Sequence, residues 1–191
     1  MWGNKITENL PVRNLEKVVL LERKFKKELN SLILRKAKPE DASFIWSIVE
    51  PIIRAGETYV FDPNSSREKM LDYWMAADKQ TFVAEWDGQI LGTFYLKANQ
   101  PDRGSHVVNA GFMVSPDSSG KGIGKAMAEF SLIEAKRLGY LAMQFNFVVK
   151  SNLPAVLLWK KMGFEIIGEI PEAFSHPNLG LTSVYVMYRK L

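Results

Sequence analysis

The spacing of hydrophobic and polar positions changes period repeatedly along the chain, and each change marks an element. Leu32-Ile33-Leu34-Arg35-Lys36-Ala37 reads as a strand. Lys38-Pro39-Glu40-Asp41 then opens a helix, with proline in its first turn, that carries Phe44, Ile45, Ile48, Val49 and Ile52 on one side. A loop around Gly56 to Pro63 leads to a second helix, Arg67 to Ala77. Thr81 to Trp86 and Gln89 to Leu96 form a hairpin about Asp87-Gly88, a dipeptide suited to a tight turn with positive φ. The run from Asn109 to Val114 is the next strand. Helical spacing returns from Ile123 to Leu138-Gly139, followed by a strand Ala142 to Val149 and a short helix after Asn152. Phe164 to Glu169 and Thr182 to Tyr188 are the last strands, with a loop at Pro177-Asn178-Leu179-Gly180 between them. Residues 1–31 fit no single period: Val18 to Leu21 reads as a strand, yet Leu15, Val18, Glu22, Phe25 and Leu29 share a helical face among lysines.

The junction between the strand ending at Val114 and the helix at Ile123 carries the clearest chemistry. Ser119-Gly120-Lys121-Gly122-Ile123-Gly124-Lys125 is a glycine-rich strand-to-helix turn. Such a turn aims unpaired backbone N–H groups and the positive end of a helix dipole at one point, which suits a phosphate or pyrophosphate. Lys121 and Lys125 add charge. A P-loop would need glycine at 119 and Ser or Thr at 126, where this chain has Ser119 and Ala126. A dinucleotide-binding turn needs G-x-G-x-x-G and a later acidic residue, but the spacing is G-x-G-x-G and Ala142 to Val149 holds no carboxylate.

Ser119 to Gly124 resembles instead the acetyl-CoA loop of the GNAT superfamily of N-acetyltransferases, Q/R-x-x-G-x-G/A, with Ser119 in place of the first residue. Asn152-Leu153-Pro154-Ala155-Val156-Leu157-Leu158-Trp159-Lys160-Lys161-Met162-Gly163-Phe164 is similar to a second segment of that superfamily, N-x-x-A-x-x-L-Y-x-x-x-G-F. Asn152 is expected to cap the short helix, Ala155 and Leu158 to face inward, and Gly163 to end it in a left-handed conformation. The resemblance implies a GNAT fold of the α/β (α+β) class over residues 32–191: a mostly antiparallel mixed sheet, helices on both faces and a splayed central strand pair. It implies acetyl-CoA as cofactor. Main-chain groups near Phe112, Met113 and Val114 would contact the thioester and pantetheine, and Gly120 to Lys125 the diphosphate. Asn152 and Trp159 would flank the pantetheine arm. Dimers are common in the superfamily, and the segment before the last strand often borders its acceptor pocket.

Composition narrows the remaining classes. The 191 residues, 47% hydrophobic and 24% charged, suit one soluble domain with a sizeable core. There are no cysteines, which excludes disulfides and a thiolate nucleophile, and His106 and His176 are the sole imidazoles, so no metal centre is expected. A formal charge of +4 agrees with an anionic cofactor, and the N-terminal lysines read as a solvated face, not a nucleic-acid surface. The apolar stretches are too short for a membrane span and nothing resembles a signal peptide, so a cytoplasmic location follows by default.

The side chains for proton transfer depart from the superfamily pattern. Its tyrosine seven residues after the asparagine is Trp159, whose indole N–H is too weak an acid to protonate a thiolate. The acidic base on a central strand is replaced by Asn109 and Asn146, which orient or polarise but take no proton. His106 is the one imidazole near that strand. Several stretches also resemble the fungal N-acetyltransferases that detoxify proline analogues: Leu91 to Asn99, Arg103 with Ser105-His106, Asn109 to Phe112, Leu138 to Tyr140, Phe145-Asn146 and Asn152. That likeness implies catalytic and substrate-binding roles for Asn109 and Asn146, with a small amine or amino acid as acceptor, a cyclic secondary amine among them. Acetylation of a peptide N-terminus, or an acetyl-CoA-binding module without turnover, are the competing expectations.

Overall fold

Seven strands in the order β1-β2-β3-β4-β5-β7-β6 make one sheet in the computed structural model, which describes residues 32–191. The strands are β1 Leu32–Lys36, β2 Gln80–Trp86, β3 Gln89–Ala98, β4 Val107–Val114, β5 Ala142–Val149, β6 Glu165–His176 and β7 Gly180–Lys190. The expectation for residues 1–31 lies outside the described residues. The central pair, β4 with β5, is parallel, and β2–β3, β3–β4, β5–β7 and β6–β7 are antiparallel. Helices α1 Ala42–Ala55 and α2 Arg67–Trp74 cover one face, where Ile45, Ile48, Val49, Ile53, Met70 and Trp74 pack against Val83, Tyr95 and Met113. The other face carries α3 Ile123–Arg137 and α4 Leu153–Lys161, reached through Phe82, Phe94 and Phe112. No helix among the described residues is long and apolar enough to cross a membrane.

Local chemistry explains most element ends. Asp87 and Gly88 both have positive φ (49° and 77°), as the two-residue β2–β3 turn requires. Gly56 (φ 65°) stops α1 and Gly163 (φ 82°) follows α4. Ser66 caps α2, accepting from Lys69 N. That helix ends at Trp74, short of the expected Ala77: Met75 N makes the last helical bond, to Leu71 O, and Trp74 O accepts from Thr81 Oγ1 of β2.

Three expectations are corrected. Phe44 points to solvent, 55% exposed, because the buried stripe of α1 runs Ile45, Ile48, Val49, Ile53. In α4 the buried residues are Val156 and Trp159, while Ala155 and Leu158 are half-buried and line a cleft. The loop expected at Pro177 to Gly180 is a tight turn closing a hairpin far longer than the alternation suggested, with His176 opposite Gly180.

One ion-pair cluster ties β1 to its neighbours. Arg35 donates to both oxygens of Asp41 (2.7 and 2.9 Å) and to Glu85 on β2 (2.7 Å), and Asp41 also accepts from Lys38 N. The guanidinium holds the Asp41 carboxyl below its ordinary 3.8. A depressed folded-state value means the pair stabilises above that pH and stops doing so as the pH falls through it. Asp41→Asn is therefore expected to cost about 1–3 kcal/mol near pH 7. The deficit should narrow near pH 3 in urea titrations; an equal deficit at both pH values would contradict the assignment.

Candidate active site

The sheet is parted at its centre. β4 and β5 pair at only Val107–Ala142 and Val108–Met143, then diverge, while β5 stays with β7 across an irregularity between Phe145 and Val148. Asn109 stands at the vertex, its Nδ2 donating to Gln144 O at 2.9 Å. On the β3 side, Asn99 N donates to Val107 O and Ser115 N to Leu91 O, so the odd residues of β4 are those that bond β3. The main-chain groups of Ala110, Phe112 and Val114 therefore face the wedge. Those of Met113 bond Thr93, and its side chain is buried under α1, which corrects the expectation that its N–H serves the wedge.

The wedge opens into a cavity of about 760 Å³. At one end lie Val114, Ser119, Gly124, Asn152, Pro154 and Leu158; at the other, Tyr59, Phe61, Tyr73, Tyr95, Asn109 and Asn146. Strand alternation sorts these side chains. Phe112 and Phe145 pack with Trp159 and Phe164 on the α3/α4 face, at centroid distances of 4.5–5.7 Å for the pairs involving Trp159. Asn109 and Gly111 point toward α1 and α2, and Gly111 lacks a side chain where the Tyr95 ring lies: a Cβ would sit 2.7 Å from it.

The glycine turn reaches the phosphate end through backbone geometry. Gly120 and Gly122 both have φ of 78°, and Gly122 caps α3 without a side-chain acceptor. The first helical bond is Ala126 N to Gly122 O, leaving the N–H groups of Ile123, Gly124 and Lys125 without helical acceptors at a terminus that has no acidic residue in its first turn. These donors fit a diphosphate. Gly92 fixes the height of this terminus: a Cβ there would come within 2.9–3.1 Å of Met127 and Ile123, so α3 lies directly on β3. Ile123 is buried there and can offer only its N–H. Lys121 is exposed, and Lys125 is exposed beside Glu129 (3.5 Å).

Asn152 caps α4, its Oδ1 accepting from Ala155 N at 3.3 Å, and also lines the cavity. Trp159 is 7% exposed within the aromatic cluster, a core residue with one edge on the cleft. Asn146 Nδ2 donates to Asn99 Oδ1 at 2.6 Å, and Asn146 Oδ1 accepts from Gln144 Nε2 at 2.8 Å, so Asn99, Gln144 and Asn146 form one carboxamide network next to Asn109. His106 is exposed before β4 and does not line the cavity.

Sequence reasoning missed the roof. Glu57, the one charged residue lining the cavity among the described residues, accepts from Asn178 Nδ2 in the β6–β7 turn at 3.4 Å. Tyr59, Phe61 and Tyr73 form an aromatic wall above Tyr95, with centroid spacings of 5.0–6.1 Å. The available signal was the density of aromatics, Tyr59 and Phe61, in a loop where polar residues are the norm.

A parted parallel strand pair, a glycine turn feeding a bare helix terminus and an acceptor chamber beyond define an acyl-CoA-dependent acyltransferase. Comparison with known proteins agrees: residues 46–164 match the acetyltransferase (GNAT) family. The chain is 32% identical over 154 residues to N-acetyltransferase aca1 of Schizosaccharomyces pombe, spanning 72% of this chain and 74% of that protein. A GCN5-related N-acetyltransferase from Kribbella flavida superposes with a TM-score of 0.82 and 39% identity, over 85% of this chain and 99% of that one. The fold of yncA from Salmonella typhimurium, solved with its cofactor acetyl-CoA, matches at a TM-score of 0.74 and 20% identity, covering 84% and 94%. The chain belongs to the GNAT acetyltransferase family and is an N-acetyltransferase whose cofactor is acetyl-CoA.

Gly122→Ala forces an alanine to φ near +78°, at a cost of about 1–2 kcal/mol. It is expected to weaken acetyl-CoA binding at least tenfold by calorimetry, through displaced N–H groups. Unchanged affinity would show that this turn does not hold the diphosphate.

Proposed function

We propose that the enzyme acetylates the amine of a small molecule, an amino acid or similar compact amine, by direct attack on the thioester. The observation that carries this is the roof: Glu57 and Asn178 meet across the mouth, and a Cβ on Gly56 would lie 4.0 Å from Pro177. That contact favours a compact acceptor over an extended peptide, which needs an open groove.

Acetyl-CoA supplies an activated acyl carbon and a thiolate leaving group. The chain supplies the rest. An N–C bond forms, the C–S bond breaks, the amine loses one proton and the thiolate gains one. Wedge-facing main-chain N–H groups of β4 other than that of Phe112, which donates to the Tyr59 hydroxyl, stabilise negative charge on the acyl oxygen. Confinement in the chamber supplies proximity. The carboxamides of Asn109 and Asn146, the latter held by Asn99, present donors and acceptors suited to an amino-acid carboxylate or a neutral amine. Trp159 is no proton donor to sulfur, and the strand carboxylate of the superfamily is absent from β4 and β5. Proton release is then left to water at the mouth beside Glu57.

The test is release of CoA thiol across a panel of amines, including azetidine-2-carboxylate and cis-4-hydroxyproline, with peptides as the contrasting group. Turnover with small amines alone is expected; turnover with peptides alone overturns the reading. Asn109→Ala should lower kcat/KM about 10²-fold if its carboxamide serves the reaction as well as the vertex. A loss below threefold would leave it only the bond to Gln144.

A further inference from the structure

Tyr59, on the segment between α1 and α2, reaches the wedge-facing main chain of β4. Its hydroxyl accepts from Phe112 N at 2.9 Å and donates to Phe112 O at 2.8 Å, taking both main-chain groups that this residue turns toward β5. A phenol has a single proton to give, and this one is spent on Phe112 O. While docked, Tyr59 can donate to nothing else. Burial also pushes its pKa above the ordinary 10, so the phenol does not replace the missing acid for the thiolate. Its position is therefore steric and positional.

The ring is held as firmly as the hydroxyl. It stacks on Phe61 (5.8 Å, 12°) and meets the edge of Trp74 (6.0 Å, 64°). Trp74 is fully buried, and its Nε1 donates to Thr93 Oγ1 at 3.0 Å, which in turn donates to Phe82 O. Thr81 Oγ1 ties Trp74 O from the other side at 2.8 Å. The chain Tyr59–Trp74–Thr93 thus runs from the wedge into the sheet with no exposed link. A wall braced in this way keeps its place under load, which is what discrimination by size requires.

Along β4 the wedge offers Val114 first, nearest the glycine turn, then Phe112, then Ala110 and the vertex. A chain entering from the turn meets Tyr59 at Phe112, before it can reach Ala110 and the vertex. We propose that Tyr59 sets the floor of the acyl subsite and restricts the donor to a short acyl group; this rests on the assignment of acetyl-CoA to the wedge. Each methylene excluded by such a wall changes discrimination about 10- to 200-fold.

The test is calorimetric, without acceptor, using CoA, acetyl-CoA and butyryl-CoA on the full chain, with the kcat/KM ratio of the two donors as a second readout. The native protein should prefer acetyl-CoA over butyryl-CoA by about 10²-fold or more. Tyr59→Ala should bring that ratio at least tenfold closer to one while the Kd for CoA itself changes less than threefold. Tyr59→Phe, which keeps the ring and loses both bonds to Phe112, should shift the ratio about threefold in the same direction. If the alanine variant does not fold, Tyr59→Leu carries the same measurement. An unchanged ratio, a parallel loss for all three ligands, or a change in acceptor preference alone would each overturn the proposal. No acetyl-CoA binding by the native protein would instead remove the cofactor assignment beneath it.

Discussion

The parting of β4 from β5 governs everything else in the molecule. Two strands that pair for two residues and then diverge leave main-chain donors and acceptors in the interior, and such groups cost about 1–3 kcal/mol each when unpartnered. The chain meets part of that demand itself, with Asn109 on Gln144 O and Tyr59 on Phe112. The remainder becomes recognition surface for a ligand that presents amide groups along its length. β5 can leave β4 because β7 holds it on the other side and absorbs the bend at Phe145 to Val148. Phe112, Phe145, Trp159 and Phe164 fill the α3/α4 side of the opening with tilted and stacked rings in contact. The wedge is therefore propped open by packing on one face and by polar bonds in its plane.

Much of this was legible in the sequence, for identifiable reasons. Asp87-Gly88, Gly56, Gly163 and the Gly120–Gly124 turn each impose a backbone geometry that few residue types tolerate, so the elements beside them could be bounded closely. β5 was read to the residue because a mainly apolar stretch, broken only by Gln144 and Asn146, lay between two turn signals. The roof was not legible. Glu57 and Asn178 are distant in the chain and meet only through the fold, and neither stands in a periodic pattern. Trp159 fits both a cofactor role and a core role because one face of its ring serves the cluster while an edge reaches the cleft. The length of the β6–β7 hairpin was underestimated because Pro171, Glu172 and the register breaks between Ile170 and Phe174 interrupt its alternation.

The same alternation that made β4 readable also separates its two chemistries. Ala110, Phe112 and Val114 send side chains toward α3 and α4, where the glycine turn lies, while Asn109 and Met113 send theirs toward α1 and α2, on the side where Gly111 leaves room for Tyr95. A slip of one residue would exchange these sets, placing Asn109 among phenylalanines and Phe112 against Tyr95. Two features exclude that slip. Gly111 must lie under Tyr95, and Asn109 must reach Gln144. Both hold only in the observed register. The separation of the two sides of the cleft thus follows from the period of one strand and one missing Cβ atom. In the plane between the sides, the wedge-facing main-chain groups of β4 are presented largely independently of side-chain identity, so the architecture of the family persists in a chain whose β4 and β5 hold no carboxylate.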